Sequence, residues 1–317
     1  MELRHLRYFI AVAEELHFSR AAERLHIAQP PLSQQIQQLE VQLGVELFHR
    51  KTKRQVQLTE AGEVFLQEAY QLLAQLQKAI ELTQKTGRGE KGQLGIGFTS
   101  LVTYDLLPVI LRRFREKFPE VELVLQELTT TQQEQALQNR RIHVGFAHPP
   151  LEDNTLNEEC IQQEALIVAM LKTHPLAEQE KISVRSLLNE NFIMFPRHLG
   201  PGLYDQIVSL CQQGNFSPKV TQEAIQMQTI IGLVSAGMGI AIAPSSLQNL
   251  QRTGVVYRTL EEKTPLVETA IVWREEDMTP VLKEFLQVVR SIYVYKSIDA
   301  KRLVAKHRFS SDLGRVN

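Results

Sequence analysis

Two groups of side chains in this sequence have types and spacings that suggest chemistry. Gln29, Ser33, Gln34 and Gln37 fall at helical intervals, and Arg50, Lys51, Lys53 and Arg54 crowd into five positions after them. A carboxamide donates and accepts side by side, as the edge of a base pair does, and a hydroxyl can do either. Clustered cations suit phosphate oxygens. The bland counterpart is a solvated polar helix face beside a basic turn. The net charge of −1 over 317 residues speaks against an anionic partner, but charge acts locally. Residues 1–58 hold eight Arg/Lys against six Glu, and four of the eight lie in that single cluster. Farther on, Ser100, Thr130 and His148 each follow a short apolar run. Side chains there can meet a small polar molecule, or the two hydroxyls can merely cap helices for about 1 kcal/mol each.

Other chemistries find no footing. The sequence has no G-x-S-x-G, no Walker-type phosphate loop and no Cys/His cluster at metal spacing. No catalytic residue, metal or cofactor is therefore expected. Cys160 and Cys211 read as two buried thiols in a reducing cytoplasm. The N-terminus carries Arg and Glu among its apolar residues, unlike a secretory signal, and the weakly polar run 230–244 is too short and glycine-rich to span a bilayer.

The elements that must position these residues can be read from periodicity. Leu3, Leu6, Phe9, Ile10, Ala13 and Leu16 give a first helix one apolar face. Ser19 supplies a capping hydroxyl for a short second helix with Ala21, Ala22 and Leu25. A turn over 26–29 and the pair Pro30-Pro31 lead into a third helix over 31–43, with stripe Leu32, Ile36, Leu39 and Leu43. Its opposite face carries the glutamines, with Gln35 and Gln38 at the flanks. Short alternating segments around the basic cluster predict a two-stranded wing, and Thr59 caps the long helix after it. A short helix, a tight turn and a polar-faced second helix make a helix-turn-helix.

From 59 to 87 the chain has no proline, and Phe65, Ala69, Leu72, Leu76, Ala79 and Thr83 alternate spacings of four and three. That is a coiled-coil seam, read as dimerisation, the alternative being a helix lying on its own domain. Glycines at 87, 89 and 92 predict a hinge over 88–92. Beyond it strands and helices alternate, which predicts a parallel α/β sheet, built as two lobes: 93–165 with 269–295, and 166–268. Ligands in such sheets sit at strand C-terminal ends near helix N-termini, so Ser100, Leu101, Thr130 and His148 on one lobe face Phe195, Pro196 and Leu203 on the other. Residues 296–317, with six Lys/Arg, read as a mobile basic tail.

The run Leu6, Phe9, Ala21-Ala22, Ala28-Gln29-Pro30-Pro31-Leu32-Ser33, Ile36, Leu39-Glu40, Leu43-Gly44, Leu47-Phe48 and Leu58-Thr59-Glu60-Ala61-Gly62 resembles the LysR-type transcriptional regulators. The resemblance implies an α plus α/β architecture: a winged helix-turn-helix over 1–58, a linker helix, and a two-lobed effector domain like periplasmic binding proteins. It implies that Gln29, Pro30, Pro31, Ser33, Gln34 and Gln37 enter the major groove of double-stranded operator DNA, while Arg50, Lys53 and Arg54 contact the minor groove or backbone. It also implies a cytoplasmic homodimer, joined into a homotetramer, that acts on RNA polymerase as activator or repressor. The effector is expected to be a small organic acid in the interlobe cleft, although a histidine at 148 weakens a carboxylate grip at neutral pH. The rival from another class is a cytosolic solute-binding sensor whose N-terminal region serves only dimerisation.

Overall fold

Helix α1, Leu3–Glu15, buries Leu6, Phe9, Ile10 and Val12 on one stripe and stops where Leu16 turns left-handed, at φ 48°. Helix α2, Phe18–Arg24, is capped by His17, whose ring nitrogen accepts the N–H of Arg20 at 3.4 Å. Ser19, expected as the cap, lies inside the helix instead, because a cap must precede the first helical residue. Helix α3, Gln29–Leu43, begins two residues earlier than expected, with both prolines in its first turn, where their missing N–H groups would have had no partner. Leu32, Ile36 and Leu39 are buried; Leu43, in the last turn before Gly44 (φ 73°), is 37% exposed and leaves the predicted stripe.

The computed structural model describes residues 1–50 and 56–292, in two units that divide between Lys85 and Thr86. In the first unit, strands β1 (Phe48–Arg50) and β2 (Val56–Leu58) pair antiparallel with Phe48 opposite Leu58. The expected wing strands are thus present. The side chain of Arg50, with Lys51, Lys53, Arg54 and the tail 296–317, falls outside the described residues. Rings fasten this unit: Phe9 lies 5.3 Å from Phe48 and, edge-on, 5.0 Å from Phe65, while Phe18 lies 6.2 Å from Phe48. Glu40 Oε1 accepts the N–H groups of Leu47 and Phe48, which ties α3 to the wing.

Helix α4, Glu60–Gly87, starts at Thr59, whose hydroxyl accepts the Gly62 N–H and donates to the Glu46 carbonyl. Its first turns correct the dimerisation reading. Phe65 and Ala69 pack on the core of their own unit, Ala69 with no exposure, and Tyr70 donates to Glu14 of α1. Spacings of three and four fit either face, so periodicity could not tell an internal contact from an external seam. Leu72 remains 48% exposed, Leu76 is half-buried, and Ala79 and Thr83 are exposed.

Helix α4 runs through Gly87, so the five-residue hinge contracts to a turn over 88–90 before strand β3, Lys91–Phe98, in the second unit. After a 3-10 turn at Ser100–Tyr104 come α5 (Leu106–Lys117), β4 (Glu120–Glu127), α6 (Thr130–Gln138), β5 (Val144–Ala147), β6 (Asn157–Glu164), β7 (Leu166–Leu171) and β8 (Lys181–Ile182). They are followed by β9 (Asn191–Met194), α7 (Pro201–Gln213), β10 (Lys219–Glu223), α8 (Met227–Ser235), β11 (Ala241–Pro244), β12 (Val255–Leu260) and β13 (Val267–Trp273). A last helix, α9, covers 280–292. Two lobes with separate cores result. One carries the sheet β4-β3-β5-β13-β6; the other carries β11-β7-β12-β8 with the pair β9-β10 beside it.

The sheets are mixed, which corrects the parallel expectation. β3 runs parallel to β4 and β5, but β13 is antiparallel to β5 and β6, and β7 is antiparallel to β11 and β12. The reason is connectivity. The chain crosses between lobes at Ala165 and again before Val267, and a strand that returns from the other lobe is free of the same-lobe helical crossover that enforces parallel pairing.

Gly62 offers a test of the first unit. A Cβ there would sit 2.1 Å from the Leu47 carbonyl oxygen. Glycine to alanine inside a helix ordinarily stabilises by about 1 kcal/mol. Here Gly62→Ala is expected to destabilise the first unit by more than about 1 kcal/mol, measured as a lower urea midpoint for its transition; a higher midpoint would refute the contact.

Candidate ligand cavity and nucleic-acid face

A cavity of about 590 Å³ opens between the two lobes of the second unit. It is built from strand ends and helix starts. β3 ends at Phe98 and leads to Thr99 and Ser100; β4 ends before Thr129-Thr130 at the head of α6; β5 ends before His148. From the other lobe come Phe195, the segment Leu199–Leu203 at the start of α7, and Ile225–Met227 before α8. Of the predicted contacts, Ser100, Leu101, Thr130, His148, Phe195 and Leu203 line this one space, and Pro196 does not. Pro196 instead caps the 3-10 turn Arg197–Leu199, which turns it out of the cavity wall.

His148 is the most constrained group in the wall. Its Nδ1 lies 3.0 Å from the Glu268 carbonyl, an acceptor only, so Nδ1 carries the proton. Nε2 then accepts from the Thr99 hydroxyl at 2.9 Å. The His148 N–H donates to Thr130 Oγ1 at 3.2 Å. Burial holds the imidazole below its ordinary value, with the Glu268 carbonyl acting weakly in the other direction. His148 is therefore a neutral ring with both nitrogens committed, and it orients Thr99 and Thr130 in the wall.

Helix α6 is fixed from both sides. Thr129 Oγ1 accepts the Gln132 N–H while Gln132 Oε1 accepts the Thr129 N–H, a capping box. Beneath it, fully buried Gln133 donates from Nε2 to the carbonyls of Leu128 (3.1 Å) and Phe146 (3.0 Å). Its Oε1 occupies space cleared by glycine, since a Cβ on Gly145 would lie 2.6 Å from it. Motif and periodicity do not single out Gln133 or Glu134. The available signal is glycine inside the strands, at 95, 97 and 145, which marks close approach by a neighbour. Thr99, Thr129 and Met227 are likewise unmarked by the sequence pattern, although all three line the cavity.

In the first unit, the polar face of α3 divides in two. His5 Nε2 donates to Gln35 Oε1, and Gln35 in turn donates to Gln38, so both flanking glutamines serve internal contacts. Gln34, Gln37, Pro30 and Pro31 are exposed, and Gln29 and Ser33 are half-buried. The end of α3 that begins at Gln29 presents the positive pole of its dipole beside them.

Among the described residues, no group of three or more His, Cys, Asp and Glu could hold a metal ion, and no helix is long and apolar enough to cross a membrane.

Comparison with known proteins adds independent findings. Residues 3–63 match the family described as "Bacterial regulatory helix-turn-helix protein, lysR family", and residues 87–292 match "LysR substrate binding domain". The chain is 44% identical over 288 residues to the HTH-type transcriptional regulator AlsR of Bacillus subtilis, covering 91% of this chain and 95% of that one. It is similar to the crystal structure of CbnR, a LysR family transcriptional regulator (TM-score 0.84, 29% identity, 91% of this chain and 100% of that one). CbnR has also been solved with its target DNA (TM-score 0.82, 28% identity, 92% and 100% covered). The BenM effector binding domain with its effector benzoate is a more distant match (TM-score 0.59, 26% identity, 65% and 93% covered).

Because His148 is buried as the neutral ring, its protonation is expected below the usual 6.5 or so. A histidine with a lowered folded value contributes stability that is present above the unfolded value and lost as pH falls through it. A ¹H–¹⁵N NMR titration should show an Nδ1–H tautomer and a midpoint under 6.5. A midpoint above that value, or an Nε2–H tautomer, would contradict this network.

Proposed function

This chain belongs to the LysR family of transcription regulators, and from that premise we propose how it reads DNA and what gates the reading. The polar face of α3, through Gln29, Ser33, Gln34 and Gln37, lies in the major groove with Pro30 and Pro31 against it. Arg50, Lys53 and Arg54 of the wing grip the neighbouring backbone or minor groove. The observation that carries this is the division of labour on α3: Gln35 and Gln38 are spent on internal bonds, while the side chains of Gln34 and Gln37 are exposed and make none among the described residues. CbnR, a structural relative, has been solved on its target DNA.

The interlobe cavity holds a small-molecule effector, as the BenM domain holds benzoate. Ser100, Thr130 and the His148–Thr99 pair supply its polar end, and Leu101, Phe195 and Leu203 its apolar wall. The effector shifts the protein between two DNA-bound geometries only to the extent that it prefers one, and a tenfold preference is worth about 1.4 kcal/mol. Two chains pair through α4, using the exposed Leu72, Ala79 and Thr83 and the half-buried Leu76 rather than Phe65 and Ala69. Two reading heads then match a two-fold operator. The second units join dimers into a tetramer that communicates with RNA polymerase in the cytoplasm. No catalysis is involved.

Fluorescence anisotropy on the protein's own promoter region tests the reading head. Ser33→Ala and Gln37→Ala should each weaken binding by about tenfold, with elution volume on gel filtration unchanged, since a good base contact is worth about 1–3 kcal/mol. Unchanged affinity in both variants would remove α3 from the groove and leave the solute-sensor reading in its place.

A further inference from the structure

The wall of the interlobe cavity carries three carboxylates and, among the described residues, no lysine or arginine. Glu127 and Glu152 are exposed at its rim, while Glu134 is 5% exposed. Glu134 Oε1 accepts the N–H groups of Glu152 at 2.7 Å and Asp153 at 2.9 Å. Backbone dipoles therefore hold this charge, and a second anion brought into the cavity would meet it directly. His148, the one lining side chain that could become cationic, is committed at both nitrogens.

The helix starts do not reverse this balance. In α6 the N–H of Gln132 is taken by the Thr129 hydroxyl and that of Gln133 by the Thr129 carbonyl, leaving Thr130 and Thr131. In α7 the first helical residue is Pro201, which has no N–H, so Gly202 and Leu203 carry the first-turn donors, and α8 opens at Met227 on the same cavity. A helix N-terminus acts as roughly half a positive charge, so the starts of α6, α7 and α8 together give about one and a half against three carboxylates. What remains is a rim of hydroxyls, Ser100 and Thr130 foremost, beside an apolar wall of Leu101, Phe195 and Met227. Such a surface rewards a ligand that hydrogen-bonds without carrying charge, because burying an unpaired anion costs far more than burying a bonded hydroxyl or amide.

We propose that the effector of this chain is a small uncharged molecule, with hydroxyl, carbonyl or carboxamide oxygen at the Ser100–Thr130 end and an apolar body toward Phe195. The small organic acid expected from the sequence, the class to which BenM's benzoate belongs, is the competing reading. The uncharged class rests on the reading of the cavity as the effector site, and the test separates the two.

The experiment is thermal melting of the full-length protein at pH 7.5 with matched pairs sharing a carbon skeleton: benzamide and benzoate, 1,4-butanediol and succinate, lactamide and lactate. At least one uncharged member is expected to raise the midpoint by about 2–4 °C, while its acid partner at the same concentration does not. That rise should vanish in Thr130→Val. Glu134→Gln should improve the apparent affinity for the paired acid by at least tenfold and leave the amide or diol within threefold. Should Glu134→Gln fail to fold, the rim double variant Glu127→Gln/Glu152→Gln is expected to shift acid binding in the same direction. If only acids raise the midpoint, and Thr130→Val abolishes that rise, the uncharged class is overturned while the cavity stands as the effector site. If an uncharged compound raises the midpoint equally in Thr130→Val, the cavity reading itself falls, and the proposal with it. A panel in which no uncharged member stabilises the protein overturns the proposal too.

Discussion

The Nδ1–H of His148 points at the carbonyl of Glu268, and much of the second unit is arranged around that bond. It fixes the tautomer, which makes Nε2 an acceptor and turns the Thr99 hydroxyl inward. It also joins the end of β5 to β13, the strand by which the chain returns from the other lobe. Three strand ends thereby meet at one imidazole: β3 through Thr99, β5 through His148 itself, and β13 through Glu268. A cavity that must change its occupant without collapsing needs a wall whose polar groups are satisfied before any ligand arrives. Here the ring, two threonine hydroxyls and the capping box of α6 meet that requirement among themselves. An unsatisfied group in that position would cost about 1–3 kcal/mol and would draw the wall inward to find a partner.

The first unit solves a different problem with rings instead of hydrogen bonds. Phe9, Phe18, Phe48 and Phe65 come from α1, α2, the wing and α4, so one aromatic cluster fastens these four elements to one another. Because Phe65 belongs to that cluster and Ala69 to the apolar core around it, the first turns of α4 are part of the head rather than a separate rod. The same core holds Leu32, Ile36 and Leu39 of α3. Glu40 completes the linkage by holding the wing N–H groups from α3.

How much of this was legible in the sequence depended on whether a residue's role was local. The stripe Leu32, Ile36 and Leu39, the prolines of the first turn and the cap at Thr59 depend on neighbours a few positions away, and the structure has each as expected. Ser100, Thr130 and His148 were legible because a strand end is a local feature, and the fold brings them to one cavity. Roles set by distant partners were not. β6, a polar strand reading Asn157–Glu164, has no alternation of the usual kind because its burial is settled by pairing with β13, more than a hundred residues later. Gln133 looks like any helix glutamine until Gly97 and Gly145 are placed beneath it. Phe65 and Ala69 carried the right periodicity and the wrong partner.

Charge acts differently in the two units. For the proposed DNA-reading unit the net charge of the chain is a poor guide, since exposed charges act within about a Debye length of 8–10 Å. In the cavity the reverse holds. Between two facing walls screening is weaker than in open solvent, and each formal charge in the wall counts toward what can enter. Sequence likeness to regulators that take acids carries the position of the cavity, because position follows from strand order and helix starts. It does not carry the charge of the ligand, which depends on individual wall side chains such as Glu134 and His148. The shape of the site is thus a property of the fold, and its selectivity is a property of this chain.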